Sequence, residues 1–326
     1  MIDNYGRTID YIRISVTDRC NLRCRYCMPE EGACLLSHDE ILRFEEIERI
    51  CRLGAELGIR KVKLTGGEPL ARKNVVSLVE SLGRMKGIDD ITMTSNGCLL
   101  DQYARELKRA GLSCVNISLD TLDPRRFAEI TRRDVFDQVM NGIHAARTAG
   151  LEVKINCAVM EDLTGEEVLE FADFSIREGI PVRFIEMMPI GQGRRFEALD
   201  NETLRGLIGG AYPDMEPARR ARGNGPAVYW QFADGKGCVG FISAVHHKFC
   251  GDCNRVRLTS DGFLKLCLAS DDGLHLQPLL RGGMGDEELM RIIREQIERK
   301  PVSHHFEEIQ DGFCDHTERN MNQIGG

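Results

Sequence analysis

The sequence predicts an α/β protein: an incomplete (β/α)6 TIM-like barrel with a smaller C-terminal α+β region closing the barrel mouth. Three observations carry this. Across the first 190 residues, six short strand-like runs alternate with amphipathic helical stretches, the pattern of repeated βα units around a parallel sheet. Five of those stretches end on glycine, at Gly58, Gly87, Gly111, Gly150 and Gly179, the residue that takes a left-handed C-cap without steric cost. After about residue 210, prolines and glycines cluster and the runs shorten. Six units are too few to close an eight-fold barrel. Pattern alone leaves a doubly wound open sheet as the alternative.

The strands are expected at 11–16, 61–65, 91–94, 114–119, 152–159 and 182–187. The helices are expected at 39–57, 74–85, 102–110, 135–148 and 166–178. Beyond them, strands are expected at 228–232, 239–243, 255–259 and 263–268, and a helix at 286–299. The chain divides into a partial barrel, 1–210, and a C-terminal region, 211–326. Several strands carry charge on one face. Ile12, Ile14 and Val16 alternate with Tyr11, Arg13 and Ser15; Val62 and Leu64 alternate with Lys61, Lys63 and Thr65; Val153, Ile155 and Cys157 alternate with Lys154 and Asn156. The period of two puts each set on its own face. Buried parallel strands should read as continuous apolar runs, and a barrel interior is ordinarily filled with branched aliphatics. A lumen carrying Arg13, Lys63, Lys154 and Arg183 makes sense if a polyanion occupies it. The alternative is edge-strand charge reaching solvent.

Composition limits the function classes. The 326 residues are 42% hydrophobic and 29% charged, an ordinary globular balance that excludes general disorder. No apolar run is long enough for a spanning helix. The N-terminus lacks an export pattern, so a cytoplasmic protein without membrane contact is expected. The net charge of −8 argues against nucleic acid as a partner. Thirteen cysteines in a reducing compartment point to metal ligation or catalysis.

Cys20, Cys24 and Cys27 form a C-x3-C-x2-C triplet after the first strand. Three thiolates are one short of a closed zinc site and suit a 4Fe–4S cluster with one open iron. Arg19, Arg23 and Arg25 are expected to favour the thiolates. Zinc completed by His38, or three buried or reactive thiols, is the alternative. Cys250, Cys253 and Cys267 give a second open triplet, for which zinc with His246 or His247, or a redox C-x-x-C pair, is the alternative. Between them, Arg255 and Arg257 share one strand face, which suggests an anionic ligand beside the second centre.

The first triplet, with Tyr26 before its last cysteine, resembles the radical S-adenosylmethionine superfamily, as does Gly66-Gly67-Glu68-Pro69 after the second strand. The second triplet with Asn254-Arg255-Val256-Arg257, and the terminal Gly325-Gly326, resemble the GTP 3′,8-cyclase family over essentially the full chain. That resemblance implies two 4Fe–4S clusters, S-adenosylmethionine, and GTP as substrate. A 5′-deoxyadenosyl radical would take hydrogen from C3′ of GTP, giving (8S)-3′,8-cyclo-7,8-dihydroguanosine 5′-triphosphate in the first step of molybdenum cofactor biosynthesis. It implies S-adenosylmethionine contacts at Tyr26, Gly67, Ser118 and Met188, and GTP contacts at Arg13, Lys63, Thr94, Lys154, Arg255 and Arg257, beside the Arg183 already inferred. It implies catalytic roles for Arg257, Gly325 and Gly326, the tail reaching into the active site. Expected partners are an electron donor such as flavodoxin or ferredoxin and the next enzyme of the molybdopterin pathway, with a homodimer allowed. Two residues depart from the family pattern: Ser95 stands where threonine is expected, and Lys63 where arginine is common. The runner-up is a peptide-modifying enzyme of the same superfamily with an auxiliary iron–sulfur cluster; the Asn-Arg-Val-Arg run argues against it. Of the remaining cysteines, 34, 51, 98, 114, 157, 238 and 314, most are expected to be small buried hydrophobes. His304, His305 and His316 are expected at the surface.

Overall fold

The computed structural model describes residues 1–197, 199–218, 223, 225–233, 235–306 and 319–325. In chain order the strands are β1 (Tyr11–Ser15), β2 (Lys61–Thr65), β3 (Asp90–Ser95), β4 (Cys114–Ser118), β5 (Glu152–Val159), β6 (Val182–Glu186), β7 (Glu216–Pro217), β8 (Val228–Gln231), β9 (Cys238–Ile242), β10 (Arg255–Leu258), β11 (Phe263–Lys265) and β12 (Gly273–His275). The helices are α1 (Phe44–Glu56), α2 (Val75–Gly83), α3 (Leu100–Arg109), α4 (Pro124–Thr131), α5 (Phe136–Thr148), α6 (Gly165–Glu178), α7 (Asn201–Ala211), α8 (Leu276–Arg281), α9 (Asp286–Glu298) and α10 (Met321–Ile324).

All six expected βα strands form, in the order β1 to β6 and parallel throughout. Their apolar faces meet the helices in one core, with Ile12, Ile14, Val62, Leu64, Val115, Ile155 and Phe184 almost wholly buried. The region after residue 210 does more than cover this arc. β10 adds parallel to β1 and β9 adds parallel to β6, so eight parallel strands run in one sheet. Antiparallel β11–β12 and β8–β7 extend its two ends. Added edge strands hide backbone groups that an open six-stranded arc would expose.

Local differences from expectation have local causes. α1 starts at Phe44 rather than near 39, because the Glu46 carboxylate accepts from the Arg43 N–H at 2.7 Å while the Glu40 carboxylate ends a turn at the Ser37 N–H. α4 was not expected. Asp123 caps it by accepting from the Arg126 N–H at 2.7 Å, with Pro124 in the first turn, a recognised helix start. α7 is likewise started by Asp200. The strand expected at 263–268 stops at Lys265, after which Cys267 turns into the central cavity.

Candidate active site

The loop from Cys20 to Cys27 leaves the C-terminal end of β1, where α/β barrels build their sites. Backbone bonds fasten it to the end of α4: Arg23 N–H to the Thr131 carbonyl at 2.9 Å and Arg25 N–H to that of Ile130 at 3.0 Å. The Gly66-Gly67 turn passes so close beneath this loop that a Cβ on Gly67 would lie 2.4 Å from the Arg19 carbonyl oxygen. Glu68, fully buried, accepts from the Leu70 N–H, the Ser95 hydroxyl and the Asn96 N–H at 2.7–3.0 Å. Asn96 in turn reaches Asn21 at 2.7 Å and the Cys20 sulfur at 3.7 Å. Tyr26 donates to Asp120 at 2.7 Å. Sequence reasoning did not select Asp120, which has no local motif.

Of the three arginines expected to favour the thiolates, only Arg23 does so, at Cys20, and burial outweighs it. Arg23 donates to the carbonyls of Cys20 and Leu22, Arg25 pairs with Asp162, and Arg19 reaches the Leu36 carbonyl. Burial dominates instead. It pushes the Cys20 thiol up to about 11, with Glu68 adding to the rise, and Cys27 up to about 12; Cys24 also rises. Deprotonating these thiols therefore requires a cation in their midst, which is what a bound metal centre supplies.

The second triplet lies past the other end of the same ladder. Tyr11 pairs with Arg255, so Cys250 and Cys253 precede the N-terminal end of β10. Cys267 follows β11, which runs antiparallel to β10, and arrives at that same end. Arg7 holds the segment: its guanidinium donates to the carbonyls of Cys250, Pro301 and Val302 at 2.7–3.0 Å and pairs with buried Asp3. Burial would raise the Cys253 thiol, but Lys300 and Arg255 outweigh it and hold the group below its ordinary value.

A cavity of about 510 Å³ joins the two ends. It is lined by Cys20, Cys24 and Cys27, by Cys250, Cys253 and Cys267, and by Arg13, Lys63, Lys154, Arg183, Arg255 and Arg257. Tyr26, Gly67, Thr94, Ser118 and Met188 line it as well. The register explains the row of cations: Arg257 pairs with Arg13, and Arg13 with Lys63. Lys154 stands across from Asn116, and Arg183 across from Asn156, whose side-chain oxygen it holds at 2.8 Å. Lys154 also meets Glu152 at 3.1 Å. Burial, then Arg13 and Arg183, push the Lys63 ammonium well below its usual range; burial, then Arg13 and Arg255, do the same to Arg257. Crowded, desolvated cations call for an anion among them. The Thr94 hydroxyl is buried there with no hydrogen-bond partner among the described residues.

The tail lies against the C-terminal ends of β1 and β2, beside Ser15 and Thr65. The Gly325 carbonyl accepts from Arg257 at 2.6 Å, its φ is +88°, and a Cβ there would lie 2.4 Å from Thr65 Oγ1. Only glycine fits so tight a left-handed turn. Gly326, Cys314 and His316 lie outside the described residues. His304 is not at the surface: it is 9% exposed, lines the cavity and stacks on Phe306 at 4.1 Å. His305 is exposed. Cys51, Cys98, Cys157 and Cys238 are buried, Cys114 is buried beside the cavity, and Cys34 is exposed. Thr92, Asn116 and Asn156 complete the inward polar face, and their period-two spacing was the available signal.

The donor sets fit iron–sulfur clusters better than zinc. Among the described residues, only Glu186, Asp200 and His246 bring three His, Cys, Asp or Glu ligand atoms within 4.8 Å of one another. Neither thiol triplet is drawn in that tightly, as a single zinc with sulfur at about 2.3 Å demands. His246, one of the two histidines the zinc alternative would use, meets Glu186 at 3.2 Å.

Comparison with known proteins agrees with this chemistry. Residues 14–175 match the Radical SAM superfamily and residues 180–306 match Molybdenum Cofactor Synthesis C. Proteins named GTP 3′,8-cyclase from Heliobacterium modesticaldum and Petrotoga mobilis are 48% and 46% identical, over the whole of this chain and of theirs. One from Clostridium perfringens is 42% identical over the same extent. Among solved structures, Streptococcus suis SuiB bound to precursor peptide SuiA aligns over 98% of this chain and 77% of its own, with a TM-score of 0.64 and 15% identity, a likeness of fold alone. The chain belongs to the GTP 3′,8-cyclase family of radical S-adenosylmethionine enzymes.

Proposed function

We propose that this enzyme converts GTP to (8S)-3′,8-cyclo-7,8-dihydroguanosine 5′-triphosphate, the first step of molybdenum cofactor biosynthesis. The observation that carries the reading is the single cavity holding both cysteine triplets with a row of cations between them. Cys20, Cys24 and Cys27 would hold one 4Fe–4S cluster, and Cys250, Cys253 and Cys267 a second. When bound, the first cluster and S-adenosylmethionine supply the hydrogen-abstracting carbon radical.

The chain's own residues bind, orient and shield. Arg13, Lys63, Lys154 and Arg183 take the triphosphate, the arginines as forks and the lysines as point charges. Arg255 and Arg257 fix the nucleoside end beside the second triplet, and Thr94 contributes its hydroxyl. Tyr26, Gly67, Ser118 and Met188 contact S-adenosylmethionine. The tail at Gly325 would help keep water and stray hydrogen donors from a reactive carbon, and a catalytic role for Gly326 rests on the family resemblance. Arg257 touches both tail and substrate, and acts with the two glycines in catalysis. Residues 1–210 form the barrel unit, and 211–326 the unit that carries the second cluster. No helix among the described residues is long and apolar enough to cross a membrane. A cytoplasmic enzyme, reduced by a flavodoxin or ferredoxin and handing its product to the next enzyme of the molybdopterin pathway, completes the reading.

The test is anaerobic reconstitution with dithionite, S-adenosylmethionine and GTP deuterated at C3′. Deuterium should appear in 5′-deoxyadenosine. Cleavage of S-adenosylmethionine with no label from GTP would show that the substrate is wrong.

A further inference from the structure

The tail touches both cysteine triplets. The Asn322 backbone N–H bonds to Cys27, its side chain donates to the Asp18 carbonyl at 3.2 Å, and Gly325 receives Arg257. Ile324, 1% exposed, packs in an apolar cluster against which Cys267 also lies. The one helical turn of α10, Met321–Ile324, has little intrinsic stability. Something must therefore fix its register.

A tie is visible two residues before α10. Arg319 forms a two-pronged ion pair with Asp261, at 3.0 and 2.9 Å. Asp261 sits in the tight turn between β10 and β11, where Thr259 donates to it and His275 lies 3.4 Å away. The Arg319 guanidinium also covers the Phe263 ring at 5.2 Å. A planar fork on a carboxylate, backed by an aromatic face, fixes direction as well as distance. β10 carries both Arg255 and Arg257, so the anchor and the groups that meet substrate share one rigid hairpin.

We propose that the Asp261–Arg319 pair is the positioning element that seats the C-terminal tail in the cavity. Its catalytic consequence rests on the reading that Gly325 acts there. The experiment uses the cluster-loaded full chain and two readouts, amide hydrogen exchange at residues 322–325 and steady-state turnover of GTP. Arg319→Ala and Asp261→Asn each raise exchange at 322–325 by about tenfold or more. Both lower kcat by about ten- to a hundredfold, with a smaller change in KM, while iron content is unchanged. Arg319→Lys, which keeps the charge and loses the fork, falls between. The exchanged pair Asp261→Arg with Arg319→Asp recovers protection, an outcome that a merely unfolded hairpin does not give. Unchanged exchange at 322–325 in both single variants overturns the proposal. Raised exchange with unchanged turnover supports the anchor and removes the tail from catalysis, so the two readings fail separately.

Discussion

The two cysteine triplets have the same number of thiols and different electrostatic surroundings. Around the first, Glu68 and Asp120 raise the thiols further than burial alone. Around the second the balance is mixed: burial raises Cys250, while Lys300 and Arg255 pull Cys253 below its ordinary value. S-adenosylmethionine carries a sulfonium and an ammonium, whereas GTP is a polyanion. The cavity thus has an acidic end with buried carboxyls and a basic end crowded with cations, and the basic end suits the polyanion.

The sharpest way to break this comparison is to remove one ligand from each end. Cys24→Ser should abolish both 5′-deoxyadenosine formation and GTP conversion. Cys253→Ser should keep reductive cleavage of S-adenosylmethionine and lose the cyclised product; iron and sulfide analysis with chromatography of both products checks the pair. If Cys253→Ser converts GTP normally, the two ends do not divide the work. Next in size, Arg257→Ala should lower turnover by about a hundredfold or more, measured as kcat/KM for GTP, with S-adenosylmethionine binding unchanged.

The acidic end predicts a pH effect. Burial lifts the Glu68 carboxyl from 4.5 to about 7. A carboxyl raised on folding contributes stability that is full below the unfolded value and is lost as pH rises through the folded one. Denaturant unfolding of cluster-free protein should lose up to about 3 kcal/mol between pH 4.5 and 7, a loss that Glu68→Gln removes; equal slopes would exclude Glu68 as its source. Gly67→Ala puts a methyl against the Arg19 carbonyl and should cost about 1–3 kcal/mol. It should also weaken S-adenosylmethionine binding in calorimetry, with GTP affinity intact. Lys63→Arg retains charge at the basic end and should alter KM for GTP by about threefold or less.

Much of this was legible from spacing. The six βα strands followed from alternation, because each has one face that must meet a helix. The cation row followed from the same period, since Arg13, Lys63 and Lys154 could not all be explained by a packed interior. The rest depended on contacts remote in sequence. His304 has no motif, and only packing against Phe306 beside the cavity gives it a place. Asp120 becomes notable only once Tyr26 reaches it from 94 residues away. The joining of β9 and β10 to opposite edges of the arc was not readable, because strand pairing across long separations leaves no local trace. α4 was legible in principle from Asp123-Pro124, but eight residues carry too weak a periodic signal.

The sheet has a consequence for how the protein is made. Its middle strands are synthesised first, and both flanking parallel strands, β9 and β10, come from the last third of the chain. Until they emerge from the ribosome, the nascent chain presents two bare edges, the situation most prone to wrong pairing. A chain ending before them would lack the second thiol set together with the two strands that cover those edges, so the fold and the second half of the cavity wall are completed by the same stretch of sequence.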